Sequence, residues 1–141
     1  MRKSVFSLDF KVRDYECDLQ GVVNNAVYLN YFEHTRHEFL HSVGFDFAKL
    51  SEEDMLPMVY KSEITYKVSL KSGDEFVSEL SVTPFGEYKV IYYQNLYRKD
   101  NHRIIAKAKI TKVFVRDGKP HPSKFYLDLL ETNKLINNNL K

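Results

Sequence analysis

Asp18 stands seven residues ahead of Asn25, in the stretch Asp-Leu-Gln-Gly-Val-Val-Asn-Asn that leads into an apolar-periodic segment. An aspartate there has three possible duties: a solvated loop carboxylate, an N-terminal cap, or a reacting group at the mouth of a helix. The first turn of a helix offers N–H groups with no partner inside it, and the positive end of its dipole. Such donors suit the oxygen of a carbonyl under attack. A cap lies directly beside the first turn, and Asn24 and Asn25 are both preferred cap types. They are better placed to cap, which leaves Asp18 available for chemistry.

The same segment carries "HEFLH" (His37 to His41), which has the letters of the zinc-peptidase signature H-E-x-x-H. A peptidase would also need a third ligand and a scaffold around a cleft. Gly44 ends the helix three residues later, and no downstream Glu or His stands at a convincing helical spacing. The pentapeptide is read as chance in a helix rich in His and Glu, and no metal is expected. Cys17 is the one cysteine, so neither an intrachain disulfide nor a thiolate cluster can form.

Elements of alternating and helical period must position these groups. "VFSLDFKVR" alternates as a half-buried strand. In "AVYLNYFEHTRHEFLHSVG", Tyr28, Phe32, Thr35, Phe39 and Val43 fall at helical spacing, with Leu29, Tyr31 and Leu40 widening the stripe. Gly44 is a natural residue just past the helix end, and His34, Arg36, His37 and His41 crowd the later turns. Residues 46–54 read as a short helical turn or loop. From residue 57 the period is two: "PMVYKSEITYKVSL", "EFVSELSVTPF", "YKVIYYQNLYR" and "RIIAKAKITKVFVR". The turns "KSGD" and "KDNH" separate them, Pro84 and Gly86 mark the end of a strand or a bulge, and "DGKP" closes the run. "PSKFYLDLLETNKLI" reads as a terminal helix, and the Asn-rich tail as fraying. Strand, long helix, then four strands in hairpin succession make an α+β chain with an antiparallel sheet wrapped around one central helix.

At 141 residues the chain fits one domain with its own core. A net charge of +2 is too balanced to argue for nucleic acid. The N-terminus lacks an apolar stretch of signal-peptide length, and no segment approaches a membrane span. With one cysteine, a reducing cytoplasm is the expected location.

The order of elements, with "DLQGVVNNAVYLNYFEHTR", resembles the hotdog-fold thioesterases of the 4-hydroxybenzoyl-CoA thioesterase type. The motif D-x-x-G-[VH]-V-x-[HN]-x-x-Y-x-x-[YF]-[ED] is matched by Asp18, Gly21, Val22, Val23, Asn25, Tyr28, Tyr31 or Phe32, and Glu33. "SEITYKVSLKSGDEFVSEL" and "RIIAKAKITKVFVRDGKPHPSKF" look like later parts of the same fold, so the likeness runs from about Phe6 to Phe125. It implies an acyl-CoA thioesterase, with Asp18 as nucleophile or general base. The main-chain N–H of Asn25 would polarise the carbonyl, and Gly21 would permit the tight approach. Tyr28, Tyr31 and Phe32 would line an acyl groove, or simply pack the core. Glu33 would act in support, or as an i, i+3 partner of Arg36. No cofactor is implied. The thiol carrier is CoA or an acyl-carrier protein, and a non-catalytic thioester-binding module is the rival reading. The resemblance also implies a homodimer with sheets joined edge to edge, with a tetramer as further assembly. Several relatives carry His where Asn25 or Val22 stands, and this chain has neither. Lys61, Lys67, Lys89, Arg98, Lys99, Arg103 and Lys119 are the cations from which a CoA phosphate could draw.

Overall fold

The computed structural model describes residues 3–52 and 54–135. The Asn-rich tail lies outside the described residues. Strand β1 (Phe6–Lys11) alternates as its sequence requires, with Phe6, Leu8 and Phe10 turned inward. A 3₁₀ turn (Asp14–Glu16) and a short loop lead to helix α1 (Asn25–Ser42). Then come α2 (Phe47–Glu52), β2 (Met55–Tyr66), β3 (Glu75–Phe85), β4 (Lys89–Arg98), β5 (Ile104–Arg116), the two-residue β6 (Lys119–Pro120) and α3 (Lys124–Thr132).

Both ends of α1 are set locally. Asn24 is the N-cap, its side chain accepting from the Ala26 N–H at 2.9 Å. At the other end Gly44 takes φ +83°, and the bonds Gly44 N–H to His41 O (3.1 Å) and Phe45 N–H to Leu40 O (2.9 Å) close a Schellman motif. The stripe Tyr28, Tyr31, Phe32, Thr35, Phe39 and Leu40 is buried, as its spacing predicts. Leu29 departs from it and is 46% exposed. The helix packs on β1 and β3 through ring contacts of Phe39 with Phe6 (5.7 Å), and of Tyr31 with Phe10 (5.4 Å) and Phe76 (5.0 Å). Such aromatic pairs add ~0.5–1.5 kcal/mol each beyond area burial.

The sheet is antiparallel in the order β1-β3-β4-β5-β2, with β6 beside β5. This corrects the expected hairpin succession at one point. β2 does not turn back onto β3. It pairs with β5 along its whole length, from Met55 opposite Arg116 to Tyr66 opposite Ala106, and β1 occupies the edge of β3 instead. The connection from Lys67 to Asp74 is a crossover rather than a tight turn. Leu70 is fully buried in it, the Lys67 and Val68 N–H groups bond Ile105 O, and Gly73 N–H bonds Val12 O. An apolar anchor and these fixed bonds carry the chain from one edge of the sheet to the other. α3 covers the remaining end, with Tyr126 against Phe45 (5.5 Å), Phe114 (5.4 Å) and the Tyr92 hydroxyl. Among the described residues no helix is long and apolar enough to cross a membrane.

Candidate active site

The segment between Cys17 and Val23 folds back on itself, because Cys17 bridges Val23 and the Asp18 N–H bonds Val22 O at 2.9 Å. Gly21 sits in the turn at φ +79°, a conformation that favours glycine. One flank of this hairpin is tied down: Val23 N–H donates to Leu70 O (2.8 Å) on the β2–β3 crossover, and Asn24 N–H to Glu16 O (3.1 Å). The crossover therefore fixes the loop that delivers α1.

Asp18 is half-buried in this hairpin. Its Oδ1 accepts from Gln20 N–H at 2.9 Å and, weakly, from Val22 N–H at 3.5 Å. The Gln20 carboxamide, turned so that its nitrogen faces the acid, donates to both carboxylate oxygens at 3.2 Å. Asp18 thus organises its own turn, as aspartates in Asx turns do. It does not cap α1, since Asn24 does. Three first-turn N–H groups follow. Those of Ala26 and Val27 are taken by Asn24, through its side chain and its carbonyl (2.9 Å each). The Asn25 N–H has no acceptor among the described residues, and Asn25 is exposed. An unpaired donor at the positive end of an 18-residue helix is what a developing oxyanion requires.

Tyr66, at the end of β2, was not singled out by its sequence position. Its hydroxyl lies 3.4 Å from Asn25 O, and its ring packs on Tyr28 at 5.2 Å. The phase of β2 could have marked it as inward-facing. Tyr28, Tyr31 and Phe32 are 4%, 3% and 0% exposed, so all three lie in the core. The Tyr31 hydroxyl donates to Glu16 Oε1 at 2.9 Å, and burial, then this carboxylate, push its pKa well up. Glu33 is exposed and is not an ion-pair partner of Arg36. The Arg36 guanidinium turns under the helix to Gln94 Oε1 (2.9 Å) instead.

His37 and His41 both pack against the Phe47 ring (5.3 and 5.8 Å), while Glu38 lies 3.7 Å from His34 and from His41. Burial pulls the His37 pKa down. Several candidate cations are engaged elsewhere: Arg98 by Asp74 (3.0 Å) and Asp100 (3.2 Å), Lys99 by Asp9 (3.4 Å), Lys61 by Glu63 (3.9 Å), and Lys89 over the Tyr60 ring (3.9 Å). Lys67, Arg103 and Lys119 have no ion pair among the described residues, and Lys67 directly follows Tyr66. A cavity of about 750 Å³ lies between β1 and α1, lined by Phe10, Arg13, Glu16, Tyr31 and His34 among others.

The sequence profile of the thioesterase-like superfamily matches residues 12–131. The chain belongs to the thioesterase-like superfamily. It is 35% identical over 117 residues to a chloroplastic acyl-acyl carrier protein thioesterase of Arabidopsis thaliana. That match covers 83% of this chain and 62% of the plant protein, so this thioesterase-like chain spans a little under two thirds of that relative. It is 33% identical over 121 residues to the acyl-CoA thioesterase YbgC of Haemophilus influenzae, covering 85% of this chain and 88% of that one. Among solved structures, a 1,4-dihydroxy-2-naphthoyl-CoA thioesterase from Synechocystis superposes with a TM-score of 0.84. Its identity is 16%, over 89% of this chain and 94% of that one, and it establishes the hotdog fold.

Proposed function

We propose that the protein hydrolyses an acyl thioester to a free acid and a thiol, at Asp18 and the start of α1. The observation that carries this reading is the unpaired Asn25 N–H beside a loop that presents a carboxylate. In the water route, the Asp18 carboxylate takes a proton as the water oxygen bonds the carbonyl carbon. In the covalent route, an Asp18 oxygen bonds that carbon itself and water later opens the anhydride. In both, the carbonyl electron pair moves onto oxygen toward Asn25 N–H. It returns as the C–S bond breaks, and the thiolate leaves to be protonated by solvent. The missing motif histidine supports assigning all base or nucleophile duty to Asp18, since an Asn side chain moves no proton at neutral pH.

Tyr28 and Tyr66 frame the entrance, Tyr31 and Phe32 back the site from the core, and Glu33 stands on the open flank of α1. Lys67 is the cation best placed for a phosphate of the thiol carrier. A homodimer joined along β2 fits the edge position of that strand and the exposure of Met58, Val59 and Tyr60 (49%, 50% and 62%). The plant relatives favour acyl carrier protein as the carrier, and the bacterial ones CoA. A free-thiol release assay on matched acyl-CoA and acyl-carrier-protein substrates tests the reading. Turnover lowered about 10²–10⁴-fold by Asp18→Asn is the expected result; tight binding with no turnover by the native chain would make it a binding module instead.

A further inference from the structure

Two cations are buried between α1 and the sheet without a directly paired carboxylate. Arg36, in the fourth turn of α1, is 5% exposed, and Lys112, on β5 opposite Val90 and Val59, is 7% exposed. Neither forms an ion pair among the described residues. Arg36 Nη1 donates to Gln94 Oε1 at 2.9 Å, and Gln94 Nε2 is held by Phe32 O at 3.0 Å. The buried Arg36 Nε has no acceptor. Glu33 and His37 face the pair from α1 and Tyr92 faces it from β4, but Glu33 is exposed and acts only through space. Burial, then the neighbouring guanidinium, pull the Lys112 pKa down to about 8.

Buried charges are normally paired, and leaving two like charges together is costly. The arrangement fits one anion. The Nε edge of a guanidinium recognises a flat, two-oxygen acceptor, and a buried site favours a single charge over a phosphate dianion. Its place on the helix matters as well. Eleven residues separate Asn25 from Arg36, which at 1.5 Å per residue is about 16 Å.

We propose that Arg36 and Lys112 hold the distal carboxylate of a long ω-carboxyacyl thioester whose carbonyl sits at Asn25. The proposal rests on the hydrolase reading for its substrate, but the anion site can be tested without turnover. In the binding arm, dodecanedioate is titrated against the protein while the Lys112 side chain is followed by NMR, with dodecanol as the uncharged control. Saturable binding that raises the Lys112 pKa by about one unit, and weakens about tenfold in Lys112→Met, is expected. No saturable binding, or equal binding by the variant, overturns the site.

In the kinetic arm, kcat/KM for dodecanedioyl-CoA is divided by that for dodecanoyl-CoA. The ratio should fall about tenfold in Lys112→Met and recover in Lys112→Arg, which keeps the charge. Saturable dodecanedioate binding with an unchanged ratio assigns the site to a free acid and overturns the substrate assignment. If neither thioester is cleaved by the native protein, the hydrolase reading fails, and the binding arm alone decides the anion site.

Discussion

Replacing Asp18 by asparagine removes a negative charge and a proton acceptor while keeping the shape of the loop. Asp18 Oδ1 accepts the Gln20 N–H at 2.9 Å, and an asparagine oxygen forms the same Asx turn. The fold should therefore change in stability by less than about 0.5 kcal/mol, as for ordinary surface substitutions. The chemical step should suffer much more. Loss of a positioned general base costs roughly 10²–10⁴ in rate, or about 3–5 kcal/mol on the barrier. The proposed donor, the Asn25 N–H, is untouched, and one oxyanion donor is generally worth about 10²–10³, so measurable turnover above the uncatalysed rate should survive. Because the base acts in the transition state, kcat and kcat/KM should fall together with KM nearly constant. Asp18→Ala is the companion variant. It also breaks the Asx turn, so it should lose about 1 kcal/mol of stability in addition to the rate. The assay is thiol release over a range of substrate concentrations, with urea unfolding on the same preparations. A folded Asp18→Asn protein with kcat within threefold of the native value would refute Asp18 as base and nucleophile alike.

Asn24→Ala removes the cap of α1 and should cost about 1 kcal/mol, read as a fall of about 4 °C in Tm. Gln94→Leu strands the Arg36 guanidinium and the Phe32 carbonyl together, and should destabilise by about 3 kcal/mol or more in urea unfolding. Val59→Lys places a charge on the exposed β2 edge and, for the homodimer proposed along that strand, should raise the dissociation constant at least about tenfold, measured by sedimentation. Lys112 gives a pH signature. Its pKa falls from 10.5 unfolded to about 8 folded, so between those values the unfolded chain holds a proton that the folded one has released. Stability from this residue therefore rises with pH across that window, and below it the folded state carries a penalty of about 3 kcal/mol. Lys112→Met should be more stable than the native chain at pH 7, and the difference should shrink toward pH 10.5; a difference that does not change with pH would contradict the burial.

Periodicity carried the strands and α1, and Gly44 and the Asn pair marked the ends of that helix, because these are local signals. The order of the strands was not local. "KSGD" looks like a hairpin turn, but only the burial of Leu70 and the pairing of β1 with β3 reveal a crossover. Leu29 fits a helical stripe by spacing, yet it is exposed. At the proposed site, Asp18 and the Asn25 N–H were named from the motif resemblance, whereas Tyr66 enters only through the β2 register. Lys112 had a signal that composition hides. In "AKAKITKVF", Lys107 and Lys109 share the outward phase, while Lys112 falls in phase with Ala106, Ala108, Ile110 and Phe114. Gln94 does the same among Val90, Tyr92 and Leu96. Polar residues on the inward phase of a strand are where sequence pattern and packing disagree, and such disagreement concentrates at functional sites.

That concentration has a direction along α1. The helix buries Thr35 against Ser78 (2.8 Å between hydroxyls) and Arg36 against Gln94, so its polar partners are met by the sheet turn by turn. Lys112 is the member that is not met, and natural chains retain an avoidable cost of this size mainly where function needs it. Arg36 and the open N–H of Asn25 are carried by the same rigid helix, and β5 brings Lys112 to Arg36. Arg36 stands about 16 Å along the helix axis from Asn25, so a ligand that engages both must be long. A short diacyl thioester could satisfy one end only, and would gain nothing from the charge of Lys112. Chain length and terminal charge should therefore act together on kcat/KM, with the Lys112→Met penalty present for long ω-carboxyacyl groups and absent for short ones.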